Sequence, residues 1–400
     1  MVIGGGAAGF FAAIECKRHT PETDVILVEK SNSILAKVKI SGGGRCNVTH
    51  ACFDAKQLSD NYPRGGKALI GPFHQFQPRD TMTWFASKGV ALKIESDNRV
   101  FPVSDSSQSI IDCLMGEVSR LGVRLWTDCG VASIAKESDG KFDVTLSTGQ
   151  VHQVDRVIMA TGSSRQGHGL CQALGHEIVA PIPSLFTIKI NDSALTELAG
   201  VSVESAALTL SAPKTITQTG PLLITHWGFS GPAMIKLSAW AAREFYDSGY
   251  QLLLTVYWLP KLSLDEIKDE LEYLRTTSKK MCVSQSPFES IPIRLWVYFV
   301  QKILGTTEKR WQELGKKDIL RFAECLRGDR YQTAGKGVFK EEFVTCGGVK
   351  LSEVNFKTME SKICPGLFFV GEVLDIDGVT GGFNFQNAWT TGFLAGIHAG

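Results

Sequence analysis

The chain has 400 residues, 42 of them basic and 41 acidic, with 44% hydrophobic content and ten cysteines. That length asks for two or three cores rather than one. The net charge of +1 makes no electrostatic case for a nucleic-acid or anionic-membrane partner, and no apolar run approaches the roughly 18 residues of a membrane span. The cysteines form no C-x-x-C pair and no Cys/His set with zinc spacing, so no metal is expected and a reducing compartment is the simplest reading.

The chain opens on a short apolar strand, Val2-Ile3, followed by Gly4-Gly5-Gly6-Ala7-Ala8-Gly9 and a helix through Phe10, Ala13, Ile14 and Lys17. The pattern G-x-G-x-x-G falls on Gly4, Gly6 and Gly9. Gly4 permits the tight turn, Gly6 lets a pyrophosphate approach the backbone, and Gly9 lets helix and strand pack closely. Phosphates would sit at the helix N-terminus, where unpaired N–H groups and the helix dipole favour negative charge. Asp24 to Glu29 reads as the next strand, and its terminal acid Glu29 is placed to accept hydrogen bonds from a ribose 2′-OH. An acid there disfavours a 2′-phosphate, so FAD or NAD is expected rather than NADP. The first strand is short and no signal or transit peptide is visible, which leaves room for an upstream targeting segment. The expected location is the cytoplasm, or an organelle matrix or stroma if such a segment is missing.

Next comes Lys37-Val38-Lys39-Ile40-Ser41-Gly42-Gly43-Gly44-Arg45-Cys46-Asn47, a second glycine loop, whose N–H groups can face a phosphate with Arg45 as a charged clamp. Pro78 to Lys88 reads as a helix ended by Gly89. Ala91 to Glu95 and Arg99 to Phe101 read as a hairpin, and Ser106 to Leu121 as a helix with Asp105 as its N-cap. Strands follow at Val123 to Trp126, Val131 to Lys136, Phe142 to Leu146 and Val151 to Asp155, with Asp139-Gly140 as a turn. Arg156 to Gly162 is an apolar run of the kind that forms a buried parallel strand, ending at Ala160-Thr161-Gly162.

From Ser184 the texture changes. Phe186 to Ile190, Val203 to Leu210, Leu222 to Thr225 and Leu252 to Trp258 read as strands of a separate sheet. Thr225-His226-Trp227-Gly228-Phe229-Ser230-Gly231-Pro232 opens a helix through Phe245, and Ser263 to Lys279, Ile293 to Leu304 and Lys316 to Leu326 are helical. The end returns to dinucleotide-domain style. Gly366 to Glu372 is a buried strand ending in Gly371-Glu372, and Gly378 to Asn384 is a glycine loop opening a helix through Ala395. That helix N-terminus suits the electron-rich O2/N1 edge of a reduced flavin.

This set resembles the FAD-dependent oxidoreductases with a glutathione-reductase-like FAD domain, with Glu372 standing where they usually carry Asp. Within that group it is similar to the BaiN-like, aminoacetone-oxidase-like flavoproteins. The matching motifs are Ser41 to Thr49, Thr225 to Pro232, Thr345-Cys346-Gly347-Gly348-Val349, Thr358 to Lys362, and Gly371 to Asp375 running into Gly381-Gly382-Phe383-Asn384. The segment Ser163 to Gly169 departs from the family, which usually has a longer loop there. The resemblance implies an α/β fold. A Rossmann-like FAD-binding domain would be assembled from both chain ends (1–183 and 338–400), with an inserted β-barrel-like domain (184–262 and 327–337) and a helical subdomain (263–326). Carried onto this sequence, it places at the cofactor Gly4, Gly5, Gly6, Ala7, Ala8, Gly9, Glu29, Lys30, Lys37, Gly43, Gly44, Arg45, Cys46, Asn47, Val131, Ala160, Thr161, Gly162, Gly371, Glu372, Gly381, Gly382, Phe383 and Asn384.

The leading expectation is a flavoenzyme that passes a hydride between flavin N5 and a small organic substrate, with NADH or NADPH as a transient co-substrate. His226 is the candidate acid/base, because imidazole titrates near working pH. Two alternatives stay open. Cys46 and Cys52 sit where disulfide reductases carry a redox pair, but as C-x5-C rather than C-x4-C and without a second G-x-G-x-x-G. The other is a flavin-binding sensor without turnover. The partners expected are a small molecule, no nucleic acid and no membrane; the oligomeric state and the substrate are left open.

Overall fold

A parallel sheet forms where the apolar runs at the two chain ends find one another. The computed structural model describes residues 1–211, 214–285, 288–337 and 344–400. By contact they divide into two units, 1–182 with 344–400, and 183–343. In the first unit a seven-stranded sheet runs in the order Val354–Asn355, Glu360–Ser361, Leu367–Phe369, Val157–Met159, Val2–Ile3, Ile26–Val28, Arg124–Trp126. The last five strands are mutually parallel, with Val2 registered between Ile158 and Leu27. Among these five, the residues of all but the edge strand Arg124–Trp126 are buried, as their uninterrupted apolar runs require.

Two helices cover the middle of this sheet, Ala7–His19 and Phe383–Ala399. They approach closely because Gly392 and Gly396 lack side chains. A Cβ at either would lie 2.9 Å from the Ala8 carbonyl oxygen or 2.8 Å from that of Ala12. Trp389 then donates to the Val48 carbonyl at 2.9 Å, which ties the C-terminal helix to the second glycine loop.

The second unit holds a closed six-stranded barrel. Its order is Ile188–Ile190, Gly228–Ser230, Thr215–Thr225, Ser202–Ser211, Leu253–Tyr257, Asp329–Lys336. Helices Leu264–Thr277, Ile293–Leu304 and Lys316–Gly328 share one apolar core with it, centred on Phe229, Trp258, Trp296 and Phe322. The architecture is therefore the Rossmann-like α/β domain from both chain ends, with a barrel and helices between.

Several elements differ locally from the pattern of the sequence. Asp105 does not cap the following helix. That helix is Gln108–Leu121 and begins at Ser107, while Asp105 has φ +53° and pairs with Arg45 and Lys93. The helix expected from Pro232 through Phe245 breaks at Ala241 into Pro232–Trp240 and Ala242–Asp247. The segment Thr225 to Pro232 holds a hairpin turn and the strand Gly228–Ser230 before that helix. The return to the cofactor domain placed at residue 338 falls outside the described residues.

Candidate cofactor site

The first glycine loop is shaped by three separate steric demands. Gly4 has φ +116°, and a Cβ there would lie 2.3 Å from the Ala160 carbonyl oxygen of the neighbouring strand. A Cβ at Gly9 would lie 2.0 Å from the Gly4 carbonyl oxygen. Gly6 instead opens onto space, with nothing within 4 Å. Among the described residues nothing accepts from the N–H groups of Gly6, Ala7 and Ala8, so the mouth of this helix presents free donors. Glu29 closes the adjacent strand. Its Oε2 accepts from Gly5 N at 2.8 Å, and its Oε1 accepts from Ser31 N and Oγ, both at 3.1 Å. The carboxylate is aimed by these three donors and stays partly exposed, with further lone pairs available. Lys30, next in the chain, is exposed.

The second helix mouth lies at the other chain end. Gly382 has φ +94°, and a Cβ there would lie 2.6 Å from the carbonyl carbon and oxygen of Thr49. In the amide orientation that satisfies both partners, Asn47 donates to Thr49 O at 2.9 Å and accepts from Gly382 N at 3.0 Å. Phe383 stacks on His50 with ring centroids 4.7 Å apart, and its carbonyl accepts from Tyr62 Oη at 2.6 Å. Asn384 clamps the loop, accepting from Gly378 N at 2.8 Å and donating to Gly378 O at 2.9 Å. Among the described residues nothing accepts from the N–H groups of Phe383, Asn384 and Phe385, so this mouth also offers free donors. Phe383 and Asn384 shape the mouth through these contacts.

The loop between them is Ser41 to Asn47. Gly43 and Gly44 have nothing within 4 Å of a would-be Cβ. Arg45 is committed elsewhere: its guanidinium donates to Glu95 at 2.7 Å and Asp105 at 3.4 Å, and lies 4.0 Å over the Phe101 ring. What this loop presents to a ligand is backbone rather than a free cation. Lys37 is exposed and also paired, its ammonium 2.5 Å from Glu372 Oε2. Gly371 is held by donation to Thr391 Oγ1 at 2.9 Å. Thr161 follows the central strand with its hydroxyl buried against Gly167, and Gly162 turns the chain away with φ +60°. Val131 is buried, and its carbonyl accepts from Gln166 at 2.9 Å.

These residues fit a flavin dinucleotide. Two helix mouths carry unengaged donors, Gly6 leaves the clearance a phosphate needs, and a carboxylate ends the second strand. Burial pushes the Cys46 thiol up to about 12, far from the thiolate that disulfide exchange requires. His226 stands exposed on the turn that joins Thr215–Thr225 to Gly228–Ser230 in the barrel unit. Ser361, His176 and Glu353 have the connectivity of a nucleophilic triad, at 3.0 and 2.9 Å. However, Ser361 Oγ also accepts from Ile363 N and Cys364 N, and both Ser361 and His176 are buried, so this trio pins an edge of the sheet.

A family profile described as the HI0933-like protein Rossmann domain matches residues 1–398. The chain is 29% identical to a 3-dehydro-bile acid delta(4,6)-reductase of Clostridium scindens, covering 99% of this chain and 97% of that protein. It is 28% identical to a ribosomal RNA dihydrouridine synthase of Escherichia coli, covering 98% and 95%. Among solved structures it is similar to the 3-ketosteroid delta1-dehydrogenase of Sterolibacterium denitrificans, at a TM-score of 0.50 and 11% identity over 100% of this chain and 98% of that one. It is likewise similar to a 3-ketosteroid-delta4-(5alpha)-dehydrogenase of Rhodococcus jostii, at a TM-score of 0.50 and 15% identity over 100% and 95%. These two likenesses concern the fold. No described helix is long and apolar enough to cross a membrane. The exclusion of nucleic acid drawn from net charge is not supported, since a relative is named for ribosomal RNA.

Proposed function

From the premise that the chain belongs to the HI0933-like family and is an FAD-dependent oxidoreductase, we propose that it reduces a carbon–carbon double bond conjugated to a carbonyl. The electrons come from NADH or NADPH. Bound FAD supplies hydride exchange at N5. The observation that carries the cofactor assignment is the pair of helix mouths with free N–H donors, one beside Glu29 and one at Gly382. What narrows the reaction is chemistry common to the relatives' names. A 3-oxo steroid unsaturated at positions 4 and 6 and the uracil ring of uridine both carry a C=C bond conjugated to a carbonyl. Such a bond takes a hydride at the β carbon and a proton at the α carbon.

In this reading Gly6, Ala7 and Ala8 N–H groups hold the pyrophosphate, and Glu29 accepts from the adenosine ribose. Lys37 offsets the charge of Glu372 and pyrophosphate together. The N–H groups of Phe383 to Phe385 and the dipole of their helix stabilise negative charge at the pyrimidine edge of the ring. His226, exposed on its turn, is assigned the proton for the α carbon. A disulfide reductase is disfavoured by the buried, protonated Cys46.

The test is anaerobic. Purified holoprotein is expected to lose its visible flavin band on adding NADH or NADPH, and to regain it with a conjugated enone or with uridine-containing RNA. An unconjugated alkene should leave it bleached. Reoxidation by a disulfide but by no enone and no RNA would overturn the proposal.

A further inference from the structure

The near-zero net charge conceals a polarised helical subdomain. Residues 263–272 carry five acids and one lysine, whereas residues 275–321 carry ten basic side chains and four acids, a net of +6. Arg294 and Lys302 of that stretch are engaged elsewhere, by the Glu197 carbonyl and Asp329, and the fold brings others together. Helix Leu264–Thr277 runs into Lys279 and Lys280. The Lys279 carbonyl accepts from Gln312 N at 3.1 Å, Arg310 bridges Cys282, and helix Lys316–Gly328 starts just beyond. Lys279, Lys280, Arg310, Lys316, Lys317 and Arg321 are all exposed, and among the described residues none of them forms an ion pair. Their neighbours Lys309 and Arg275 do, pairing with Asp318 at 2.9 Å and Glu272 at 2.7 Å.

This end concentrates like charge in the free protein. Lys316 and Lys317 occupy the first turn of a 13-residue helix, where the one acid, Asp318, is already engaged by Gly315 N at 3.2 Å and by Lys309 at 2.9 Å. Lys279 and Lys280 add like charge at the same end. A polyanion relieves this repulsion, and the release of its counterions adds to the gain. The face also carries Tyr273, 60% exposed, beside the exposed Thr276 and Thr277, whose hydroxyls both donate to the Tyr273 carbonyl at 2.8 Å. An open ring among hydroxyls suits a stacked base. The other large apolar side chains exposed here, Met281 and Leu320, are two among six cations, less than the continuous apolar face by which a surface helix enters a lipid headgroup layer.

We infer that this end of the helical subdomain is an RNA-docking surface. Lys279, Lys280, Arg310, Lys316 and Lys317 take the phosphate backbone and Tyr273 takes an unpaired base. The inference rests on the proposed reduction of a carbonyl-conjugated double bond, and it names a uridine-bearing RNA as the partner that presents that bond.

The experiment uses the full chain with its flavin and a fluorescent RNA stem–loop with uridines in the loop, read by anisotropy across a salt series. Wild type is expected to bind with steep salt dependence. The variant Lys279→Gln/Lys280→Gln/Lys316→Gln/Lys317→Gln should bind at least tenfold more weakly at low salt. Its slope of log K against log salt should be shallower by about 0.7 for each phosphate no longer neutralised. Tyr273→Ala should weaken binding without changing that slope. Flavin retention and melting temperature check that each variant is folded. Equal binding by wild type and the fourfold variant overturns the inference, as does tighter binding to phosphatidylserine vesicles than to RNA. A wild type that reduces an enone yet ignores RNA defeats the docking surface alone and leaves the proposed reaction standing.

Discussion

The two helix mouths of the cofactor unit share a sequence signature and differ in why it is there. Both are glycine loops that open a helix, and among the described residues both leave the first N–H groups without acceptors. At the N-terminal mouth the crucial glycine is open, since a Cβ at Gly6 would meet nothing within 4 Å and its missing side chain is room for a ligand. At the C-terminal mouth the glycine is closed in, because the missing side chain of Gly382 is occupied by the Thr49 backbone at 2.6 Å. A side chain at Gly382 would therefore strike Thr49 and disturb how the loop is seated before it reached a flavin ring. A glycine before a helix can serve the ligand or the fold, and only its neighbours tell which.

The largest effect should come from breaking that contrast directly. Gly382→Ala puts a Cβ into the Thr49 backbone and strains a left-handed residue, which by itself costs about 1–3 kcal/mol. Its melting temperature is expected to fall sharply, with FAD lost as a consequence. Gly6→Ala should melt like wild type in the cofactor-free form and lose FAD affinity alone. Equal melting of the two cofactor-free variants would remove the distinction.

Glu29 sharpens the open mouth. A charge-assisted hydrogen bond is worth about 1.5–3 kcal/mol, so Glu29→Ala should weaken FAD by about ten- to a hundredfold in a fluorescence titration. Cys52→Ala, at a site assigned no role, should leave affinity unchanged. A similar loss in both would move the ribose contact elsewhere.

A smaller effect is expected at Lys37 and Glu372. The pair is half-exposed on the lysine side, so its own contribution to folding is within about 1 kcal/mol. With FAD present, Lys37→Met should weaken binding, and Glu372→Gln in the same chain should restore part of it by removing the charge left beside the pyrophosphate. Strictly additive losses would show that Lys37 does not offset Glu372.

The smallest effect concerns the loop between the mouths. Lys93 chiefly, then Arg45, holds the Asp105 carboxyl below its usual range. A depressed folded-state pKa means the stabilisation is present above the ordinary aspartate value, about 3.9, and is lost as pH falls through the lower folded-state value. Asp105→Asn should flatten the pH dependence of stability slightly in that acid window. No change in the acid limb of the stability curve would show that the pairs seating Arg45 are fully screened by solvent.

Much of the cofactor unit was legible because its signals are local. Buried parallel strands need continuous apolar runs, and Arg156 to Gly162 and Gly366 to Glu372 have them. The barrel was less so. Thr215–Thr225 begins with alternating threonines and contains Gly220 and Pro221, and Asp329–Lys336 is charged and holds Gly335. Of the two, only Leu222 to Thr225 reads as strand from the sequence; the rest does not. Each becomes one because a closed barrel pairs it on both edges, Asp329–Lys336 with Leu253–Tyr257 and Ile188–Ile190.

What the sequence by itself determined is the chemistry of short range. Gly4 to Gly9 next to an apolar strand, and an acid at Glu29, require only neighbours in the chain and one adjacent strand to build a dinucleotide turn. What only the tertiary structure decided is the use of each side chain across distance. Arg45, read as a phosphate clamp, is drawn to Glu95 and Asp105, 50 and 60 residues away. Lys37 reaches Glu372 across 335 residues, and Gly382 is required by Thr49. The physical reason is that a charge or a missing Cβ acts on whatever lies within a few ångströms, and for these residues that neighbour is set by packing rather than by position in the chain.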